Sequence, residues 1–387
     1  MRRSTERILT THVGSLVRPR ELVAAVRAGG VADVPERVRA AVRDVVQRQV
    51  EIGIDIPSDG EYSKPNFAGY VNERLSGFEL RRVPPIEGVA PSRGRDRRAF
   101  PEFYEEYDRA ESEQQGRPDP PVTAVCTGPI AYRGEALVRR DLENFTEALR
   151  GLDVAEAFIP AVAPATIEGQ RPNEHYPSAE AYLFAIADAM AHEYRAIVDA
   201  GFVLQVDDPR IAVTYDLQDP APTRQAYRDF VELRLAALDR ALAGLPPDRV
   251  RYHVCWGSWH GPHTTDVALE DIVDLILKVR VGAYLLEGAN PRHEHEYHVW
   301  QRVKLPPGKI LIPGVIAHTT NTVEHPALVA ERIGRYAERV GAENVIAGSD
   351  CGFAQGALYR RVHPSIMWAK LASLVEGARL ASRSLFA

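Results

Sequence analysis

The sequence predicts an α/β protein of the (β/α)8 TIM-barrel type, one domain over residues 1–387 with 81–121 as an insertion after the second strand. Three observations predict it. Short apolar runs with strand character alternate with helical patterns along almost the whole chain, which makes a parallel sheet with helical crossovers. Eight or nine such runs occur with no linker between them, a count that favours closure into a barrel over an open doubly wound sheet. No Gly-x-Gly-x-x-Gly follows the first run and no Gly-rich loop ends in Lys-Ser/Thr, so dinucleotide- and phosphate-binding folds lose ground.

Bulk properties narrow the function. A net charge of −6, with arginines scattered among acids, gives no basic footprint and speaks against a nucleic-acid partner. Three cysteines far apart, Cys126, Cys255 and Cys351, argue against a disulfide framework and for a reducing, cytoplasmic setting. The N-terminal Met-Arg-Arg-Ser-Thr-Glu-Arg has no apolar stretch behind it, so no secretory signal is expected there. No run is long enough to span a membrane, and no membrane partner is expected.

The first strand, 8–13, ends at Gly14-Ser15. Helices follow at about 20–28 and 35–52; Pro35 sits near the start of the second, Val38, Val42, Val45 and Val46 share one side, and Gly53 ends it. A short strand at 54–57 leads to Ser58-Asp59-Gly60-Glu61. Residues 81–121 are rich in Arg, Glu and Pro and weakly periodic, the composition of a surface insertion, a lid or an oligomer contact. Strands are then expected at 122–126, 158–162, 202–206, 250–255, 283–286, 310–315 and 344–347. Helices fall at 179–200 with Ser178 as N-cap and Gly201 as stop, 222–243, 266–279, 326–340 and the C-terminus.

In such a barrel, function gathers where strands end. Val250, Tyr252 and Val254 alternate with Arg251, His253 and Cys255, so His253 and Cys255 share one face of a strand. An imidazole and a thiol there are either two ligands for a soft or borderline metal or two ordinary sheet residues. Glu287 and Cys351, each at a later strand end, add a carboxylate and a second thiol, all standard zinc ligands. Cys126, inside an apolar run, reads as a small core residue. His260, His263, His293, His295 and His298 follow these positions and read as loop residues or a second metal set. Trp256, Trp259 and Tyr62 line a pocket or pack.

Seven segments in order, Thr11-His12-Val13-Gly14-Ser15, Ser58-Asp59-Gly60-Glu61, Gln205-Val206-Asp207-Asp208-Pro209, His253-Val254-Cys255, Glu287, Gly314-Val315-Ile316 and Ser349-Asp350-Cys351-Gly352, resemble the catalytic domain of cobalamin-independent methionine synthases. The resemblance implies a zinc ion (Zn2+) held by His253, Cys255, Glu287 and Cys351, with Ser15, Glu61 and Asp207 holding homocysteine by its carboxylate and amino group. The implied activity is zinc-dependent thiol alkyl transfer, foremost methyl transfer to homocysteine or a related thiol as a zinc-bound thiolate. The chain is also similar to single-barrel members of that superfamily, including epoxyalkane:coenzyme M transferase, on Thr11-His12-Val13 and Val323-Glu324-His325-Pro326. That likeness makes His318 and His12 candidates for the acid that protonates a leaving group or an opening epoxide, or else structural histidines. His318 sits one position away from the family's catalytic histidine, and no tryptophan follows Gly128-Pro129, where the long enzymes place one against folate. The donor is therefore open among methyl-folate, a methylcorrinoid protein and an epoxide, and a homo-oligomer is left open. A lyase of the uroporphyrinogen decarboxylase type is a competing class, against which the paired cysteines speak.

Overall fold

The structure is a computed structural model that describes residues 1–29, 34–82, 94–115 and 122–387. Nine strands are assigned there: β1 (Leu9–Thr10), β2 (Phe78–Arg82), β3 (Val122–Cys126), β4 (Phe158–Val162), β5 (Val203–Asp207), β6 (Val250–Val254), β7 (Ala283–Leu286), β8 (Ile310–Ile316) and β9 (Ile346–Ser349). Seven form a wholly parallel sheet in the order β1-β9-β8-β7-β6-β5-β4. Helices connect them, as the alternating sequence requires.

The two edges of this sheet, β1 and β4, are both met by residues 54–57. Ile56 N–H donates to the Thr10 carbonyl at 3.1 Å and the Thr11 hydroxyl to the Ile56 carbonyl at 2.9 Å. On the other side Phe158 N–H donates to the Pro57 carbonyl at 3.1 Å and Ala155 N–H to that of Asp55 at 2.9 Å. The segment expected as a strand is thus irregular, with Pro57 unable to donate, yet it bonds in both directions.

Val122–Cys126, expected in the parallel sheet, instead pairs antiparallel with Phe78–Arg82 in a separate ribbon, with Phe78 opposite Cys126. A five-residue apolar run has the same pattern in either setting, and nothing in it names its partner. Between these strands lie most of residues 81–121, the stretch expected as an insertion, of which 83–93 and 116–121 lie outside the described residues. The described part holds two helices, Arg95–Ala99 and Pro101–Gln115, that the sequence reading did not foresee.

Alternation along the strands divides the core in two. Leu9, Ile56, Phe158, Val203, Leu285, Ile310, Ile312 and Ile346 pack on the inner side, joined by Cys255 and Cys351. Residues facing the other way meet the helices, among them Leu183, Ile186 and Met190 of Ala179–Asp199, which Ser178 caps as expected by accepting from Ala181 N–H. Leu285 is fully buried on the inner side. Leu285→Ala is expected to cost about 3 kcal/mol through lost transfer energy and a residual cavity, read as a lower urea midpoint with unchanged slope.

Arg251 also points inward. It donates to Gln205 at 2.8 Å, Thr11 at 3.0 Å and the His12 carbonyl at 2.8 Å, and lies 3.5 Å over the Phe158 ring. Burial lowers its pKa to about 9. No helix among the described residues is long and apolar enough to cross a membrane.

Candidate metal and thiol site

Parallel register sets the site. Asp207 closes β5 opposite His253 on β6, and Cys255 follows one residue beyond that strand. Glu287 comes directly after β7, His318 two residues after β8 and Cys351 two after β9. Cys255 and Cys351 approach to 3.6 Å between sulfurs, and with His253 they present ligand atoms all within 4.8 Å of one another. Two sulfurs each about 2.3 Å from a tetrahedral ion lie about 3.8 Å apart, so the observed spacing suits zinc. Neither ring nitrogen of His253 has a hydrogen-bond partner of good geometry although the residue is buried. A buried imidazole in that state is costly unless a further partner completes it.

The electrostatics agree. Cys351 is held well below the usual thiol range because the Cys255 thiol donates to it and His253 adds its charge, against the opposing effect of burial. Cys255 moves well above that range for the same reason, as the partner that keeps the proton. Burial opposes charge on His253, but the Cys351 sulfur beside it outweighs burial and raises the imidazole. Burial pushes Asp350 up to about 8, with Glu287 adding repulsion. A buried set this rich in acidic groups holds protons where a dication would replace them.

Glu287 stands outside the three-residue group. Its carboxylate accepts Trp256 N–H at 2.7 Å and the Asn290 amide at 2.9 Å, on the strand end beside His253. Asp350 ties the same strand end to the Cys351 loop by accepting from Gly288 and Ala289 N–H at 2.8 and 2.9 Å. Gly352 is needed next to it, since a Cβ there would lie 2.7 Å from Ser15 Cβ.

The expected acceptor-binding residues surround this group. Glu61 is buried at φ +59°, a left-handed conformation rare outside glycine that stores strain where the side chain is aimed. One of its carboxylate oxygens is buried without a partner, and burial raises its pKa. Asp207 accepts from Gln205 at 2.7 Å, and burial raises it to about 8, the charges of Glu61 and Cys351 adding to the rise. The Ser15 hydroxyl donates to the Ala354 carbonyl.

The two histidine candidates differ. His12 is fully committed: Nδ1 accepts from Gly14 N–H at 3.0 Å, which leaves the proton on Nε2 to donate to Gln49 at 2.7 Å. Both ring nitrogens of His318 are buried without partners. Burial lowers each to about 4. For His12 the sign follows directly: the fold favours the neutral ring, so stability falls as pH drops below 6.5 and levels off near 4. Between pH 7 and 5 the wild type is expected to lose about 2 kcal/mol more than His12→Asn, measured by urea denaturation at both pH values.

Among the described residues, the remaining loop histidines join no group of three or more possible metal ligands. His263 and His293 are buried and share Asp266 at 2.9 and 3.0 Å, His293 also bonding Glu296 at 2.8 Å and stacking on Trp256. Trp256 is core, its indole N–H donating to the Val267 carbonyl at 2.7 Å. Sequence reasoning missed Arg18 and Lys64, buried cations whose charge acts on Glu61, because neither lies in a periodic run.

At the strand ends of a parallel α/β scaffold, two thiols and an imidazole form a group that could hold a metal ion. No family model matches the chain. It is 25% identical to a methionine synthase of Thermococcus kodakarensis over 97% of this chain and 94% of that one, and 26% identical to one of Sulfolobus acidocaldarius over 97% and 93%. A B12-independent methionine synthase from a Shewanella species, solved with selenomethionine, shares the fold at TM-score 0.70 and 19% identity, covering 98% of this chain and 99% of that one. A putative vitamin-B12-independent methionine synthase from Listeria monocytogenes does so at TM-score 0.65 and 20% identity, covering 96% and 98%. Over nearly its whole length the chain is thus similar to proteins named methionine synthase, and it shares the fold of two B12-independent ones.

Proposed function

We propose that this protein is a zinc-dependent thiol alkyltransferase that transfers a methyl group to homocysteine or a related thiol. The observation that carries this reading is the buried Cys255–Cys351 pair, 3.6 Å apart beside an unpartnered His253. The end-to-end match to relatives named methionine synthase supports it. The framework is read as a single (β/α)8 barrel domain, 54–57 serving as the strand between β1 and β4, with 81–121 as an insertion.

His253, Cys255 and Cys351 would hold the ion, with Glu287 the fourth ligand from the adjoining strand end. When bound, zinc supplies the acidity that makes an acceptor thiol nucleophilic at neutral pH, where a free thiol of pKa about 8.5 is mostly protonated. The rest falls to this chain's own side chains. Glu61 and Asp207 bind the acceptor's ammonium; buried as they are, both gain by meeting a cation. Ser15 lies at the carboxylate end. His318 is assigned the proton transfer to the departing group because both its ring nitrogens are unbonded, a role that needs charge developing there to offset the burial that keeps the ring neutral, while His12, bonded at both nitrogens, shapes the wall.

An amine-free acceptor such as coenzyme M, as in the epoxide reading, would bring Glu61 and Asp207 no ammonium to bind. A decarboxylase-type lyase would have no use for the two thiols. The partners are therefore a small thiol and an alkyl donor, in a cytoplasmic setting. The test is metal analysis of the purified protein with a panel of donors: about one zinc per chain and methionine formed from homocysteine are expected. Protein that stays metal-free after zinc reconstitution overturns the proposal.

A further inference from the structure

We propose that the insertion helix Pro101–Gln115 is the donor-side wall of this site, and that a Glu111–Arg361 latch decides whether the wall is shut. The inference rests on reading the Cys255–Cys351 pair as the reaction centre. Cys255 and Cys351 are only 2% and 8% exposed, so the arrangement seen is closed and something must move to admit substrate.

The insertion touches both sulfur-bearing loops. Toward the loop after Cys255, Asp96 accepts His263 N–H at 3.1 Å and Thr264 N–H at 2.9 Å, and Tyr104 meets the Trp259 indole at 3.1 Å. Toward the loop after Cys351, Glu111 accepts from Arg361 at 2.6 Å and also from the Tyr359 hydroxyl. Arg361 bonds Tyr107 as well, and through Gln355 at 3.0 Å it reaches the Gly352 carbonyl, 2.7 Å from Gln355 and next to Cys351. One helix thus bridges the loops that follow the two sulfur-bearing residues.

Its hold is of a particular kind. Tyr104, Trp259 and Val213 form a small apolar cluster separate from both parts of the main core. The remaining grip is polar, and a unit held this way opens at far lower cost than the barrel. Asp96 and Tyr104 anchor one end. At the other, a single carboxylate gathers Arg361 and Tyr359, with Tyr107 as a second, neutral partner of Arg361, so losing the carboxylate's charge loosens that end and leaves the first in place. A bulky donor would need the latch open, whereas a small one would pass a partial opening. Glu111 and Arg361 are positioning residues that set donor size.

The test is thiol labelling of the full-length chain, stripped of metal by chelation, with Cys126 as internal reference. In Glu111→Gln, labelling of Cys255 and Cys351 by a bulky maleimide is expected to rise about tenfold, the equivalent of about 1.4 kcal/mol in the opening equilibrium. Iodoacetamide should gain less, and Cys126 should not change. Tyr359→Phe, a milder loss at the same carboxylate, should move the same ratio in the same direction. Unchanged rates in both variants, or a rise shared by Cys126 or equal for both reagents, overturn the proposal. Because labelling needs neither zinc nor turnover, its failure is separable from a failure of the alkyltransferase reading.

Discussion

Cys255→Ser and Cys351→Ser are each expected to abolish methyl transfer and to weaken zinc binding by at least about 100-fold, the upper range for losing a mere outer-shell partner of a metal ligand. The reason lies in how the pair is placed. Both side chains pack among Ile310, Ile312 and Leu285, with each other, His253 and the Gly257 N–H as polar neighbours, so little besides an ion can complete them. A serine hydroxyl fits the space yet is a far weaker ligand for a borderline-soft ion. Cys126→Ser is the control. Cys126 lies on β3 of the separate ribbon, and its thiol faces the Gly128 carbonyl at 3.5 Å. Zinc content and activity should survive there. Retention of stoichiometric zinc and activity in both Cys255→Ser and Cys351→Ser would remove the metal reading altogether.

How much of this was legible in the chain depends on which physics each feature obeys. Strand alternation put His253 and Cys255 on one face, and the parallel register then carried Cys351 to the same point, since strand ends in such a sheet lie at one edge. The cap at Ser178 is local and was readable. Pairing partners are not local. Val122–Cys126 has the pattern of a parallel strand and lies in an antiparallel ribbon, because its partner Phe78–Arg82 alternates polar and apolar residues and exposes Leu80. Pro101–Gln115 escaped notice for a related reason: its buried tyrosine packs on loops rather than on the sheet, so its apolar stripe is short. The engagement of Glu287 with Trp256 N–H and Asn290, and the full commitment of His12, depend on hydrogen bonds that no spacing rule encodes.

The acceptor is decided by the two buried acids, and their removal should change preference more than rate. Asp207→Asn and Glu61→Gln are each expected to raise KM for homocysteine by roughly 10- to 100-fold, the worth of one charge-assisted hydrogen bond of about 1.5–3 kcal/mol. The companion measurement uses 4-mercaptobutyrate, which is homocysteine without its amino group. Wild-type protein should discriminate strongly against it, because Glu61 and Asp207 would then keep their desolvation with no added ammonium to offset it. In the variants the neutral amides no longer require that cation, so the ratio of kcat/KM values should collapse toward unity through loss on homocysteine and a smaller loss on the analogue. Glu61 carries the sharper form of this expectation. Its backbone is held at φ +59° with one carboxylate oxygen buried and unpartnered, an arrangement whose strain and desolvation are offset only when a donor arrives. Glu61→Gln should therefore leave the free protein no less stable than wild type while weakening acceptor binding. A variant that keeps full preference for homocysteine over its deamino analogue would show that the amino group is read elsewhere, and a wild type indifferent to that group would move the acceptor to an amine-free thiol.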